Sequence, residues 1–236
     1  MANTYFQFKQ FKIEQKHCAN KVSTDACVFG AWMARLIKSG IVLDVGAGSG
    51  LLSLMIGQQH KAAILGIELE EDCVRQAEDN ISASPFGHIQ IRQADIRTWQ
   101  STEKFDWLIS NPPFFNNSSK NEDVKKNLAR QTESLGPKDW ATILSNCGYE
   151  ETKVALLLSN NDVLASYEEN LKNSGFGNQK KILLLDTETA ECKRVILFAK
   201  KEAFQLATPS SFIYKNQDGS YANKFIELMK DYYLYL

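Results

Sequence analysis

The amino-acid sequence predicts an α/β fold in which an open, mostly parallel sheet carries helices on both faces. Three observations point there. An apolar run, Ile41–Val45, enters the turn Gly46-Ala47-Gly48-Ser49-Gly50 and continues into an apolar helical stretch from Leu51. Short apolar runs then recur with helix-length amphipathic stretches between them, the pattern of parallel strands joined by crossover helices. Asp44, Glu68 and Asp95 fall at or just past the ends of three successive runs. In an open parallel sheet that edge is where ligands bind.

Taken in order, residues 1–40 form a mildly basic segment, with Lys9, Lys12, Lys16, Lys21, Arg35 and Lys38 against Glu14 and Asp25. Phe6, Phe8, Phe11 and Ile13 suggest an extended, half-buried start. A helix is expected over 26–37, capped by Asp25 or Thr24, with Val28, Phe29, Trp32 and Leu36 as its apolar stripe. The glycines after the first core strand permit a tight turn and close approach of a ligand to the backbone. The helix behind them offers free N–H groups. The spacing G-x-G-x-G is one residue tighter than the dinucleotide-binding G-x-G-x-x-G. A carboxylate at Asp44 suits a cofactor with a cationic amino-acid end better than a pyrophosphate.

A second strand over 63–67 ends in Glu68, placed either to bind ribose hydroxyls or simply as a surface acid. Glu71–Ser82 reads as a helix and 88–92 as a third strand. Asp95 then either accepts a hydrogen bond from an adenine amino group or caps a helix. A strand over 105–109 leads into Ser110-Asn111-Pro112-Pro113-Phe114. Prolines lack an N–H and fix φ, so the chain leaves the sheet stiffened at Asn111. An amide side chain, a carbonyl and an aromatic ring at one strand end suit a planar amino group. Beyond a polar stretch holding Lys120, Lys125, Lys126 and Arg130, helices are expected over 137–147 and Asp162–Asn173. Strands are expected over 154–158, 181–185 and 195–198. The tail offers Phe212-Ile213-Tyr214, a turn at Asp218-Gly219, and a helix over 221–232 docking by Phe225, Leu228, Met229 and Tyr232.

The chain of 236 residues balances 27 basic against 28 acidic side chains, a formal charge of −1. Total charge therefore gives no grip on nucleic acid, and any basic surface is local: the amino-terminal segment, the 120–130 stretch, or Lys193-Arg194. Five widely spaced cysteines without C-x-x-C read as reduced thiols rather than a disulfide scaffold or a zinc site. With neither a leader pattern nor a membrane-length apolar run, a cytoplasmic protein without a membrane partner is expected.

The stretch Asp44 to Gly50, followed by Glu68 and Asp95, resembles the cofactor half of class I S-adenosylmethionine-dependent methyltransferases. Asn111-Pro112-Pro113-Phe114 resembles the N-P-P-aromatic signature of amino-group methylation. The whole chain is similar to bacterial tRNA adenine-N6 methyltransferases that modify adenine 37 of a valine tRNA. That similarity is carried by Phe8-Lys9-Gln10-Phe11, Cys18, Lys21-Val22-Ser23-Thr24-Asp25, Gly30-Ala31-Trp32, Ser220-Tyr221 and Tyr232-Tyr233-Leu234. The family usually has glycine where Ser23 stands and frequently tyrosine where Phe114 stands.

The resemblance implies a Rossmann-like seven-stranded sheet with an antiparallel last strand. It implies one domain over 1–236: a segment 1–40 closing over the cofactor, a core 41–201 and an extension 202–236. S-adenosylmethionine would touch Lys21, Thr24, Asp25, Asp44, Gly46, Ala47, Gly48, Gly50, Glu68, Leu69, Asp95, Ile96 and Asn111, with no metal. Asn111, Pro112, Pro113 and Phe114 would be the catalytic set, Thr24 and Asp25 helping to close the methionine end. The substrate would be tRNA, and the enzyme a monomer without an obligate protein partner. A ribosomal RNA guanine-N2 methyltransferase, a protein glutamine-N5 methyltransferase and a catalytically silent RNA-binding protein of the same fold are the alternatives. A nicotinamide-dependent oxidoreductase is disfavoured by the glycine spacing and the N-P-P turn.

Overall fold

A computed structural model describes residues 3–18, 20–113, 135–160, 162–201 and 208–236. The chain opens with a small antiparallel hairpin, β1 (Tyr5–Gln7) and β2 (Lys12–Glu14), followed by helix α1 (Thr24–Leu36). Then come β3 (Ile41–Val45), α2 (Leu51–Gln59), β4 (Ala63–Glu68), α3 (Glu71–Ser82), β5 (Ile89–Gln93) and β6 (Trp107–Ser110). The second half holds α4 (Asp139–Cys147), β7 (Lys153–Ser159), α5 (Asp162–Asn173), β8 (Phe176–Leu185), β9 (Arg194–Lys201), β10 (Ser210–Ile213) and α6 (Asn223–Met229).

The main sheet has the order β10-β8-β9-β7-β6-β3-β4-β5. Strands β5, β4, β3, β6 and β7 are mutually parallel, and β9 runs antiparallel between β7 and β8. The expected antiparallel seventh core strand is therefore present, but among the described residues the sheet has eight strands rather than seven. The eighth is the tail strand β10, which pairs in parallel with β8 through Ser210–Ile213. From β3 the chain steps one way to β4 and β5 and the other way to β6 and β7. The junction of β3 and β6 is thus a topological switch point, where open α/β sheets hold ligands.

Period-2 alternation splits the core. On β3, Val42 joins the cluster that includes α1, α2 and α6, whereas Leu43 and Val45 join the cluster of α4 and α5 on the other face. Asp44 shares the α1/α2 face with Val42. Helix α1 begins at Thr24, two residues earlier than expected, and its cap is Ser23, whose Oγ accepts from Ala26 N–H at 3.3 Å. Leu36, expected in the apolar stripe, is exposed, while Ala26 to Ala31, Met33 and Ala34 are buried. The helix lies between α2 and the tail, so more than one face is covered. Strand β8 starts at Phe176 rather than near 181, with a bulge between Asn178 and Lys180. Helix α6 is shorter than the expected 221–232, yet Phe225, Leu228, Met229 and Tyr232 are all buried as expected.

Candidate active site

Four adjacent parallel strands, β6, β3, β4 and β5, bring their carboxyl ends to one edge. With them come Asn111, Asp44 and its glycine loop, Glu68, and Asp95. The loop is held from β4: Gly46 and Ala47 N–H donate to Ile67 C=O at 2.9 and 3.1 Å. Gly46, Gly48 and Gly50 all have positive φ, at 73°, 55° and 80°, a conformation that side chains with a Cβ rarely adopt. A Cβ placed on Gly46 or Gly48 would meet nothing within 4 Å, so both face open space at the switch point. Gly66, inside β4, is required by contact instead: a Cβ there would lie 2.8 Å from that of Ala47.

Asp44 is fully buried beneath the loop. Its Oδ2 accepts from Ser53 Oγ at 2.7 Å, and Oδ1 is a buried acceptor without a hydrogen-bond donor. Burial pushes its carboxyl up to about 7, against the opposing pull of the Ser53 hydrogen bonds. Glu68 braces the site differently. Its Oε2 accepts from Gly48 N–H at 2.8 Å, while Oε1 accepts from Leu69 N–H at 2.8 Å and Glu70 N–H at 3.0 Å. Oε1 thus has both lone pairs engaged, and Oε2 keeps one acceptor site free. Leu69 is exposed beside it and Ile96 is buried.

Asp95 sits in a tight turn, its Oδ1 accepting from Arg97 N–H at 3.0 Å. The Arg97 guanidinium closes on the same carboxylate, with Nε 2.8 Å from Oδ1 and Nη2 2.7 Å from Oδ2. That pairing lowers the Asp95 carboxyl below its ordinary range. Asp95 thus caps a turn rather than an α-helix.

At the end of β6, Ser110 Oγ donates to Val45 C=O at 2.7 Å and ties the N-P-P turn to the start of the glycine loop. Asn111 Oδ1 is buried, with no donor to it among the described residues. Pro112 is buried and Pro113 exposed. Phe114 lies outside the described residues, as do Lys120, Lys125, Lys126 and Arg130.

The amino-terminal candidates do not share one place. The Lys21 ammonium folds back on its own segment, donating to Gln15 C=O and, at 2.9 Å, to Cys18 C=O. Thr24 and Asp25 line a cleft of about 570 Å³ on the same sheet edge, beyond β7. There Asp25 Oδ1 accepts from Tyr214 Oη at 2.6 Å and its Oδ2 lies 3.9 Å from Arg194.

The glycine cradle, the buried acceptor on Asp44 and the acceptor-bearing Glu68 fit a cofactor with an ammonium group and ribose hydroxyls. Among the described residues, no group of three or more His, Cys, Asp or Glu side chains could hold a metal ion.

Residues 18–138 match the family model of the methyltransferase small domain. A tRNA1(Val) (adenine(37)-N6)-methyltransferase of Pseudoalteromonas translucida (strain TAC 125) is 33% identical over 97% of this chain and 98% of that protein. The chain belongs to this methyltransferase family. A relative of the same description from Dyadobacter fermentans is 32% identical, covering 98% of each chain. Among solved structures, a predicted O-methyltransferase from Agrobacterium tumefaciens shares the fold with a TM-score of 0.63 at 15% identity, over 88% of this chain and 96% of that one.

The sequence did not reveal the roles of three polar residues of this methyltransferase. Ser53 holds the Asp44 carboxylate, and Ser110, already part of the N-P-P stretch, ties it to Val45. Asn80, 3% exposed, has its Oδ1 accept from Glu14 N–H and its Nδ2 donate to Glu14 C=O and Ser49 C=O, all at 2.9 Å. It joins β2 to the glycine loop, and no local pattern marks it.

Proposed function

We propose that this methyltransferase moves a methyl group from S-adenosylmethionine to the exocyclic N6 of adenine 37 in a valine tRNA. The observation that carries the proposal is the buried Asn111 Oδ1, without a donor among the described residues, at the end of β6, one strand from the glycine cradle. The adenine amino nitrogen is a poor nucleophile because its lone pair is delocalised into the ring. Asn111 Oδ1 and the Pro112 carbonyl would accept its two hydrogens. Holding them so favours a pyramidal nitrogen and stabilises the positive charge that develops there. No side chain need remove a proton beforehand. Phe114 would stack on the flipped base.

S-adenosylmethionine, when bound, supplies a sulfonium methyl group as electrophile. For it we assign Asp44, with Gly46, Ala47, Gly48 and Gly50, to the amino-acid end and Glu68 to the ribose. Leu69, Asp95 and Ile96 would face the adenine. Alignment of the two reactants then supplies much of the rate.

The proposal includes a cytoplasmic, monomeric enzyme without an obligate protein partner. The five cysteines are all free thiols, which suits a reducing compartment. Among the described residues no helix is long and apolar enough to cross a membrane. It also includes one domain divided into 1–40, 41–201 and 202–236; the separate β1–β2 hairpin and the tail strand β10 flank the core sheet at those points.

The test is nucleoside mass spectrometry on unmodified valine tRNA and ribosomal RNA incubated with the enzyme and cofactor. N6-methyladenosine at position 37 is expected; N2-methylguanosine in ribosomal RNA would overturn the assignment. Asn111→Ala should still bind the cofactor but lose about 10²–10³-fold in methylation rate. A rate near wild type would remove Asn111 from the mechanism.

A further inference from the structure

We infer that the cleft beyond β7 is a second RNA subsite, holding a ribonucleotide within a few positions of the target adenine; this rests on the proposed tRNA activity. The cleft, about 570 Å³, is of the size that encloses small organic ligands. It lies on the same sheet edge as Asn111. Arg194 opposes Ser159 on β7, and Leu156 of that strand opposes Ser110. Two strand spacings across and three residues along place Arg194 roughly 14 Å from Ser110. That is the span of a few nucleotides along one strand, not of a distant surface.

The lining has the chemistry of a nucleotide rather than of a bare anion. Lys193, Arg194 and Lys215 face Asp25, Asp186 and Glu191, so formal charges balance. Asp186 is paired with Lys215 at 3.0 Å, and Asp25 is engaged by Tyr214 and Arg194. Paired carboxylates still accept hydrogen bonds from ribose hydroxyls and base amino groups. The Lys193 side chain is exposed at the rim, where a phosphate would pass. Tyr221 supplies an aromatic surface already fixed by stacking on Phe225, with ring centroids 4.7 Å apart and planes at 14°. Bases stack on such rings without regard to sequence.

The assignment places the grip on RNA in stacking and hydrogen bonding with one phosphate contact at Lys193, and it needs no excess of positive charge in a chain whose net charge is −1. It also gives the tail a role in substrate binding, since Lys215 and Tyr221 belong to it.

The test uses the full-length enzyme and an unmodified valine tRNA transcript, with affinity followed by fluorescence anisotropy across a salt series. Tyr221→Leu should weaken binding roughly 5- to 150-fold. Lys193→Ala should raise KM for the transcript and reduce the slope of log affinity against log salt by about 0.7, the loss of one phosphate contact. Cofactor affinity, measured by calorimetry, should stay at the wild-type value in both. Wild-type affinity and slope in both variants would overturn the subsite. If Tyr221→Leu fails to fold, Lys193→Ala decides alone, because its side chain is exposed. Wild-type enzyme that makes no N6-methyladenosine on this transcript is a different result: it removes the proposed activity and this subsite with it.

Discussion

Asp44 is a carboxyl fully removed from water. Burial raises its carboxyl to about 7 in the folded protein, against an ordinary value of 3.8. Between those values the folded chain keeps a proton that the unfolded chain has lost. This group's contribution to stability is therefore full below about pH 4 and falls as pH rises through about 7. Asp44→Asn should flatten that fall, with urea unfolding at pH 5 and pH 8 as the measurement. A variant with the wild-type pH slope would show that the carboxylate stays ionised throughout. Glu68→Ala should weaken cofactor affinity roughly tenfold or more, since hydrogen bonds to a charged acceptor are among the stronger ones. Unchanged affinity in calorimetry would count against the ribose assignment. Asp44, Glu68, Asp95 and Asn111 could be placed at strand ends from sequence because strand length and turn chemistry are local properties. The closure of Arg97 on Asp95, the folding back of Lys21 and the hydroxyl on Asp44 could not, because each depends on packing between elements or on a rotamer.

Among the elements, those with strong periodicity matched expectation: α3 and α5 have the expected bounds. The misread starts have physical reasons. Behind Phe176, strand β8 runs through Gly177, Asn178 and a bulge, which erase the alternation that marks a strand. Helix α1 is covered on more than one side, so a single stripe understates its burial. Asn80 matters most at this scale, because one buried amide on α3 fastens both β2 and the glycine loop. Asn80→Ala would leave those groups unsatisfied and should cost roughly 2–4 kcal/mol of stability. It should also weaken cofactor affinity in variants that remain folded. Urea unfolding with calorimetry separates the two effects, and a loss of stability with unchanged affinity would limit Asn80 to a structural tie.

For the whole molecule, the tail is core rather than appendage. Phe212, Tyr214, Phe225, Leu228, Met229 and Tyr232 are buried, and Tyr232 Oη donates to Met55 C=O at 2.9 Å. Buried side chains of this size contribute about 1.5–3 kcal/mol each, against a total stability of roughly 5–15 kcal/mol for a typical protein. Deleting 208–236 should therefore abolish cooperative unfolding, as read by circular dichroism against urea. A truncated chain with a sharp transition would show that the core sheet is self-sufficient. The sequence already pointed to the apolar face of the last helix; the pairing of β10 with β8 was hidden because a four-residue strand has no partner visible along the chain.

The amino-terminal hairpin leans on this same tail. Lys9 N–H donates to Tyr232 C=O at 2.8 Å, and Phe6 and Phe8 pack against the Tyr233 ring with centroids 5.8 and 6.2 Å away. The Lys9 ammonium also reaches Lys230 C=O, 221 positions away, at 2.6 Å. Lys9 is made 221 residues before Lys230, and a chain folds as its parts emerge from the ribosome. The segment leading to Thr24 and Asp25 therefore gains this anchorage only after the tail has been synthesised, so the edge that carries Asp25 is completed late in folding.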